Sequence, residues 1–224
     1  MEADINVADA DGGAADVKSC AVEPEAELDV GAKLRLELSN EISVDTVDPV
    51  IAVLNRAIEG DLIEIHLRHN GGGSVDRMIA LIDALDNTKA MVEITYSRYV
   101  MSAAALIWLK YLVGPTRKVQ SLLPRKPGVV MYHRPRRKKG DYLCFADEVE
   151  IVHPLKGLLV DELKIFDELF EKIYQICLNY DAKGQQRQPP SEKVVHGDDG
   201  LTYRHWLMRM KDAYYGNQDC LIPV

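Results

Sequence analysis

The chain has little of what usually holds a small fold together from outside its core. Its four cysteines, Cys20, Cys144, Cys177 and Cys220, are widely scattered, and none belongs to a C-x-x-C pair. That spacing supports neither a disulfide framework nor a zinc site and predicts free thiols in a reducing compartment. Long apolar runs are also missing. The most apolar stretch, Met101 to Leu109, falls far short of the ~20 residues that span a bilayer. The N-terminus shows no basic-then-apolar pattern, so a secretory signal is not expected and a cytoplasmic location is. The net charge of −8 argues against wholesale nucleic-acid binding. No GxxxxGK loop is present, so any ATP use would come from a separate ATPase partner. No metal-ligand cluster is legible: His66 and His69, three apart on a strand, point to opposite faces. Neither a metal nor an organic cofactor is expected.

What is present divides the chain in two. Residues 1–32 are rich in Asp, Glu, Ala and Gly, contain no aromatic residue and carry only Lys18 as a basic residue before Lys33. Such a composition buries too little apolar surface to offset chain entropy, which predicts a flexible acidic tail. Residues 33–224 have the patterning of one globular domain, well within the size that buries a sizeable core.

The domain is organised around Leu62 to Val75, LIEIHLRHNGGGSV. Leu62, Ile63, Ile65 and Leu67 read as a buried strand, and Met78, Ile79, Leu81, Ile82 and Leu85 recur at helical spacing. Asn70-Gly71-Gly72-Gly73 therefore lies where a strand becomes a helix. Three glycines there can take positive φ and offer bare N–H groups to an anion, or simply make a tight turn. Upstream, Leu34, Leu36 and Leu38 predict a strand, and Val47 to Ile58 predict a helix capped by Ser43 or Asp45. Downstream, strands are expected at Met91–Tyr96, Val119–Leu123 and Gly128–Tyr132, with a helix over Tyr99–Leu112. Alternation of strand and helix predicts repeated βαβ units, a mostly parallel sheet and an α/β fold. The basic run Arg134 to Lys139 is expected as a solvated loop, or as a contact for an anionic partner or for the acidic tail of a neighbouring subunit. Leu159, Phe166, Ile173 and Tyr180 repeat every seven residues in a long helix over Leu155–Tyr180, whose broad apolar face calls for partners on more than one side. A final helix is expected over Leu201–Tyr215.

Three polar residues could do chemistry. Ser102 precedes an Ala-rich helix, where a serine is either a cap or an activated nucleophile. His133 ends a buried strand, where α/β folds carry sites, and could be its base or a structural residue. Asp198 or Asp199 could orient the base or cap the last helix.

Taken in order, these segments resemble the proteolytic subunit of the Clp protease, within the larger ClpP/crotonase fold. Arg68-His69-Asn70-Gly71-Gly72-Gly73-Ser74-Val75 is similar to that family's Asn-Ser-Pro-Gly-Gly-Ser-Val turn. Met101-Ser102-Ala103-Ala104-Ala105 is similar to its nucleophile segment Ala-Ser-Met-Gly-Ala, and Met131-Tyr132-His133-Arg134-Pro135 to its base segment Met-Ile-His-Gln-Pro. Asp198-Asp199-Gly200-Leu201-Thr202, followed by Tyr215-Gly216, resembles its Asp-x-x-Leu-Ser and Tyr-Gly segments. The likeness covers about residues 33 to 220, and the long helix falls where the family has its ring-to-ring handle. The resemblance implies a serine endopeptidase acting on polypeptide substrates inside self-assembled homo-oligomeric rings. Ser102 would be the nucleophile, His133 the base and Asp198 its orienting carboxylate, with the N–H groups of Gly72 and Ala103 forming the oxyanion hole.

The sequence also departs from that pattern. Gly71 replaces a Pro, Arg98 stands where the family has a Gly four residues before the nucleophile, and Val100 and Met101 replace two alanines. Ala104 replaces a Gly, and the basic run Arg136 to Lys139 replaces paired glycines. These changes predict altered substrate preference and a specialised member, such as a viral or phage-type processing protease. Two other readings compete: a crotonase-like acyl-CoA enzyme using the same oxyanion hole, and a catalytically silent structural or partner-binding subunit.

Overall fold

The computed structural model describes residues 33–126, 128–139, 142–182 and 203–223. The expected acidic tail lies outside them. The elements in chain order are β1 (Leu34–Ser39), α1 (Val44–Arg56), β2 (Leu62–Asn70), α2 (Val75–Asn87), β3 (Met91–Met101), α3 (Ser102–Val113), β4 (Val119–Ser121), β5 (Val129–Tyr132), β6 (Arg136–Lys139), β7 (Tyr142–Phe145), α4 (Lys156–Ala182), α5 (Tyr203–Tyr215) and β8 (Cys220–Leu221). The domain is mixed α/β, with a parallel-dominated sheet ordered β1-β2-β3-β5-β8 and β4 also paired to β3. Only β8 runs antiparallel in it; β6 and β7 form a separate antiparallel hairpin.

Strand order explains the layering. From β1 to β2 to β3 the chain steps to the next position each time through a helix. Right-handed crossovers in one direction put those helices on one face. On that face Ile63, Ile65 and Leu67 of β2 and Val92, Ile94 and Tyr96 of β3 are buried, while Glu64, His66, Thr95 and Ser97 occupy the other face. The helices answer with Val47, Val50 and Leu54 of α1 and Met78, Leu81 and Leu85 of α2. Burying one such aliphatic side chain contributes roughly 1.5–3 kcal/mol. α3 is buried on nearly every side, Ala103 to Leu109 without a break. It packs between the sheet and α4, where Phe166, Phe170 and Ile173 extend the same core.

Two expectations are corrected. The segment Tyr99 to Met101 is strand: β3 runs on to Met101, pairing Tyr99, Val100 and Met101 with Val129, Val130 and Met131, and the helix begins at Ser102. Backbone pairing with β5 overrides the local helical preference that the alanine run extends backwards. The basic run is not a solvated loop, since Arg136–Lys139 pairs with Tyr142–Phe145. Arg136 pairs with Asp219 and Arg137 with Glu162 of α4, so neither guanidinium is left to solvent alone. Cys220–Leu221 adds a strand that was not expected, because two residues are too short to show a period. Among the described residues no helix is long and apolar enough to cross a membrane.

Candidate active site

Left-handed backbone clusters at the C-terminal ends of the first three strands. Asn40 (φ 68°) follows β1, His69 (φ 46°) lies near the end of β2, and Arg98 (φ 63°) lies near the end of β3. Ser102, at φ 53°, is the residue where β3 turns into α3. Each non-glycine residue held this way costs on the order of 1–3 kcal/mol, and such strain gathers at functional sites. Arg98 keeps a conformation natural to glycine.

The Gly turn lies directly against Ser102. A Cβ placed on Gly72 (φ 88°) would sit 2.6 Å from Ser102 Cβ, 2.7 Å from the Met101 carbonyl oxygen and 3.1 Å from Ala103 N. Only glycine allows this approach. The turn is laced to the segment after β1: Gly71 N–H donates to Asn40 O (2.8 Å), Ile42 N–H to Gly72 O (2.7 Å) and Ser74 N–H to Ile42 O (2.8 Å). Asn70, fully buried, donates through Nδ2 to Leu38 O (3.1 Å) and accepts the Gly72 N–H on Oδ1 (3.0 Å).

The donor set differs from the expected one. The Gly72 amide is engaged by Asn70, whereas the Gly73 amide makes no hydrogen bond among the described residues. In a trans peptide the N–H points opposite to the carbonyl. Because Gly72 O faces Ile42, the Gly73 N–H faces away from Ile42. The second expected donor is open. α3 begins with Met101 at its cap position and no side-chain cap, so Ala103 N–H lies among the first-turn amides that lack an intrahelical partner. The positive end of the helix dipole adds to the attraction for an anion there.

His133 lies on the adjacent strand end. Met101, the last residue of β3, is opposite Met131 in the parallel pairing; Ser102 follows Met101, and His133 follows Tyr132, the last residue of β5. Neighbouring strands lie about 4.8 Å apart. His133 is 5% exposed, and its Nδ1 is 2.7 Å from Arg134 O. A carbonyl only accepts, so Nδ1 carries the proton and the neutral ring keeps its lone pair on Nε2. Burial lowers the pKa of the ring below 6.5; the Arg134 carbonyl opposes the shift, nearby Arg136 adds to it and Asp219 opposes it. The ring is therefore neutral at pH 7, as a general base must be. Among the described residues no hydrogen bond joins the Ser102 hydroxyl to His133. Asp198 and Asp199 lie outside the described residues.

Of the expected site residues, the structure brings together Ser102, Gly72 and Ala103, and His133 follows the last residue of the neighbouring strand β5. Sequence reasoning named the three glycines as donors but missed that Asn70 takes the Gly72 amide. Asparagine just before glycines is an Asx-turn signal, and it pointed to the bond that engages the Gly72 amide. The described cysteines are not part of this arrangement: Cys220 is buried, bonds Tyr132 O at 3.1 Å and has its thiol pKa pushed up to about 12. No protein-family model and no curated protein matches the chain.

Proposed function

We propose that the chain is a serine endopeptidase of the Clp-protease type, in which Ser102 attacks the peptide carbonyl. His133 Nε2 takes its proton and returns it to the leaving amine. Asp198 remains the proposed orienting carboxylate, and to accept the Nδ1 proton it would displace the Arg134 carbonyl that holds that proton here. The developing oxyanion is received by the N–H groups of Ala103 and Gly73, with Gly72 supplying the clearance that lets the turn approach. Losing one such donor typically costs about 2.7–4 kcal/mol of transition-state stabilisation. The observation that carries this reading is a serine in left-handed backbone at a strand-to-helix junction, packed on a glycine and beside amides without partners. A serine on such a turn presents its hydroxyl for attack.

The repeated strand–helix units and the 27-residue α4 support the ClpP-type architecture, with α4 as the handle. At about 1.5 Å per residue α4 is roughly 40 Å long. Its inner stripe packs on the core, while Leu158, Val160, Ile165 and Ile176 remain exposed, together with Ile151 and Val152 in the turn before it. An apolar surface of this extent favours assembly into homo-oligomeric rings. The test compares the wild type with Ser102→Ala in peptide cleavage and in light scattering. The reading expects cleavage to vanish while the assembled mass is unchanged; a fully active Ser102→Ala protein would remove it. One observation favours a catalytically silent subunit instead, namely the missing Ser102–His133 hydrogen bond. Apo catalytic bonds are often long and tighten only with substrate.

A further inference from the structure

We infer that Arg134 is a positioning residue for His133, holding the imidazole with its carbonyl while its guanidinium is locked onto α4 and α5. The inference rests on the reading of His133 as a base. One residue thus performs two tasks: its main chain orients the ring, and its side chain fixes where that main chain lies.

The side chain is held on three sides. Arg134 Nε donates to Asp167 Oδ1 at 3.1 Å and Nη2 donates to Oδ2 at 2.9 Å, a two-pronged pairing with a carboxylate of α4. The pair is largely sheltered, with 13% and 28% side-chain exposure. Asp167 Oδ1 also accepts the Tyr214 hydroxyl of α5 at 2.7 Å. The guanidinium lies 4.7 Å from the Tyr215 ring centre and 5.5 Å from that of Tyr214. Tyr215 in turn donates to Glu171 of α4.

The residue on the other side of His133 is tied to the same helix. Tyr132 donates to Phe166 O at 3.1 Å and stacks on Phe166 and Tyr214 at 5.5 and 5.7 Å. Tyr132 and Arg134 therefore grip consecutive residues of α4, Phe166 and Asp167, with His133 suspended between them. Any change in how α4 and α5 dock on β5 moves the Arg134 carbonyl and with it the tautomer that leaves Nε2 free. Displacements of about 1 Å at a catalytic group can cost roughly 100-fold in rate. The charged groups facing the ring, Arg136 of β6 and Asp219 before β8, pair with each other at 3.2 Å and stay in place in the variants below.

The test uses the full chain as wild type, Arg134→Lys, Arg134→Met, Asp167→Asn and the double variant Arg134→Met/Asp167→Asn. Two readouts are taken. Histidine-selective nitrogen NMR reports the tautomer and titration of His133, and the rate of fluorophosphonate labelling reports Ser102. A merely structural anchor would lower the unfolding temperature and leave the tautomer and the pH midpoint unmoved. A positioning role expects Arg134→Met to lose the Nδ1–H tautomer, to move the midpoint up toward 6.5 as the ring gains solvent, and to slow labelling roughly 10- to 100-fold. Arg134→Lys should recover part of this, and the double variant should be little worse than its poorer parent, since both changes break one pair. Folded variants that keep the wild-type tautomer and midpoint overturn the inference. If the wild type itself is never labelled, the peptidase reading fails, and the NMR result still decides whether Arg134 holds the ring.

Discussion

His66 and His133 each lie beside a serine of β3 or its end, yet the two pairs sit on different kinds of backbone. His66 has the better hydrogen bonds. Its Nε2 is 3.1 Å from Ser97 Oγ and its Nδ1 is 2.8 Å from Thr95 Oγ1, which itself donates to Glu64 Oε1 at 3.0 Å. Serine, histidine and carboxylate thus form an unbroken chain on the open face of the sheet. His133 and Ser102 make no such bond. Ser97, however, sits inside the β2–β3 ladder opposite Arg68, without left-handed backbone and away from any helix start. No first-turn amides accompany it. Ser102 has the strained junction, the glycine contact and the amides without partners. A serine–histidine bond is the easier part of a hydrolytic site to assemble. Donors for an oxyanion would require a particular backbone, and of these two regions the one around Ser102 has amides without partners.

Substitutions at the two serines separate the regions most sharply. Ser102→Ala is expected to remove peptide cleavage almost wholly, on the order of the 10⁶-fold loss seen when a serine nucleophile is deleted. Ser97→Ala should leave the rate of cleavage within about twofold, measured on the same peptide. Next in size is Gly72→Ala. Its Cβ would collide with Ser102 Cβ and the Met101 carbonyl, so cleavage should drop by at least about 100-fold. Gly157→Ala, whose Cβ meets nothing within 4 Å in α4, is the control and should stabilise by up to about 1 kcal/mol in chemical unfolding.

The pH dependence follows from the same contrast. Both rings have pKa values lowered chiefly by burial, so both are neutral above 6.5. Below 6.5 the unfolded chain binds protons more readily than the folded one, and stability falls as pH falls. Activity should follow His133 alone, with an acid limb whose midpoint lies below 6.5. His66→Gln should shrink the acid-side loss of stability and leave that limb where it is. A limb that moves with His66→Gln would erase the distinction between the two regions. The smallest effect is at Arg98. Replacing it by glycine relieves a left-handed side chain and should raise stability by about 1 kcal/mol in the same unfolding measurement.

Much of the sheet was legible because apolar residues repeat with period 2 in β1 and β2 and with helical period in α1 and α2. The start of α3 was not. Ala103 to Leu109 is buried all round, so it has no polar face to mark a phase, and Tyr99 to Met101 was absorbed into it. The hairpin β6–β7 was hidden by its charges: Arg137 is drawn into a pair with the buried Glu162, a partner distant in sequence. At the site, Ser102 and the Gly turn were legible from the strand-to-helix punctuation around them. The division of labour between Gly72 and Gly73 was not, since it depends on Asn70 reaching Leu38 across the strands and taking the Gly72 amide. The tie from Arg134 to Asp167 was equally out of reach, because 33 residues separate them.

One measurement bears on all of this. The folded, full-length chain is treated with a fluorophosphonate probe and the adduct is located by peptide mass mapping. The account predicts a single adduct on Ser102, abolished by Ser102→Ala and indifferent to Ser97→Ala. An adduct on Ser97, or no adduct on a folded and assembled protein, would contradict it.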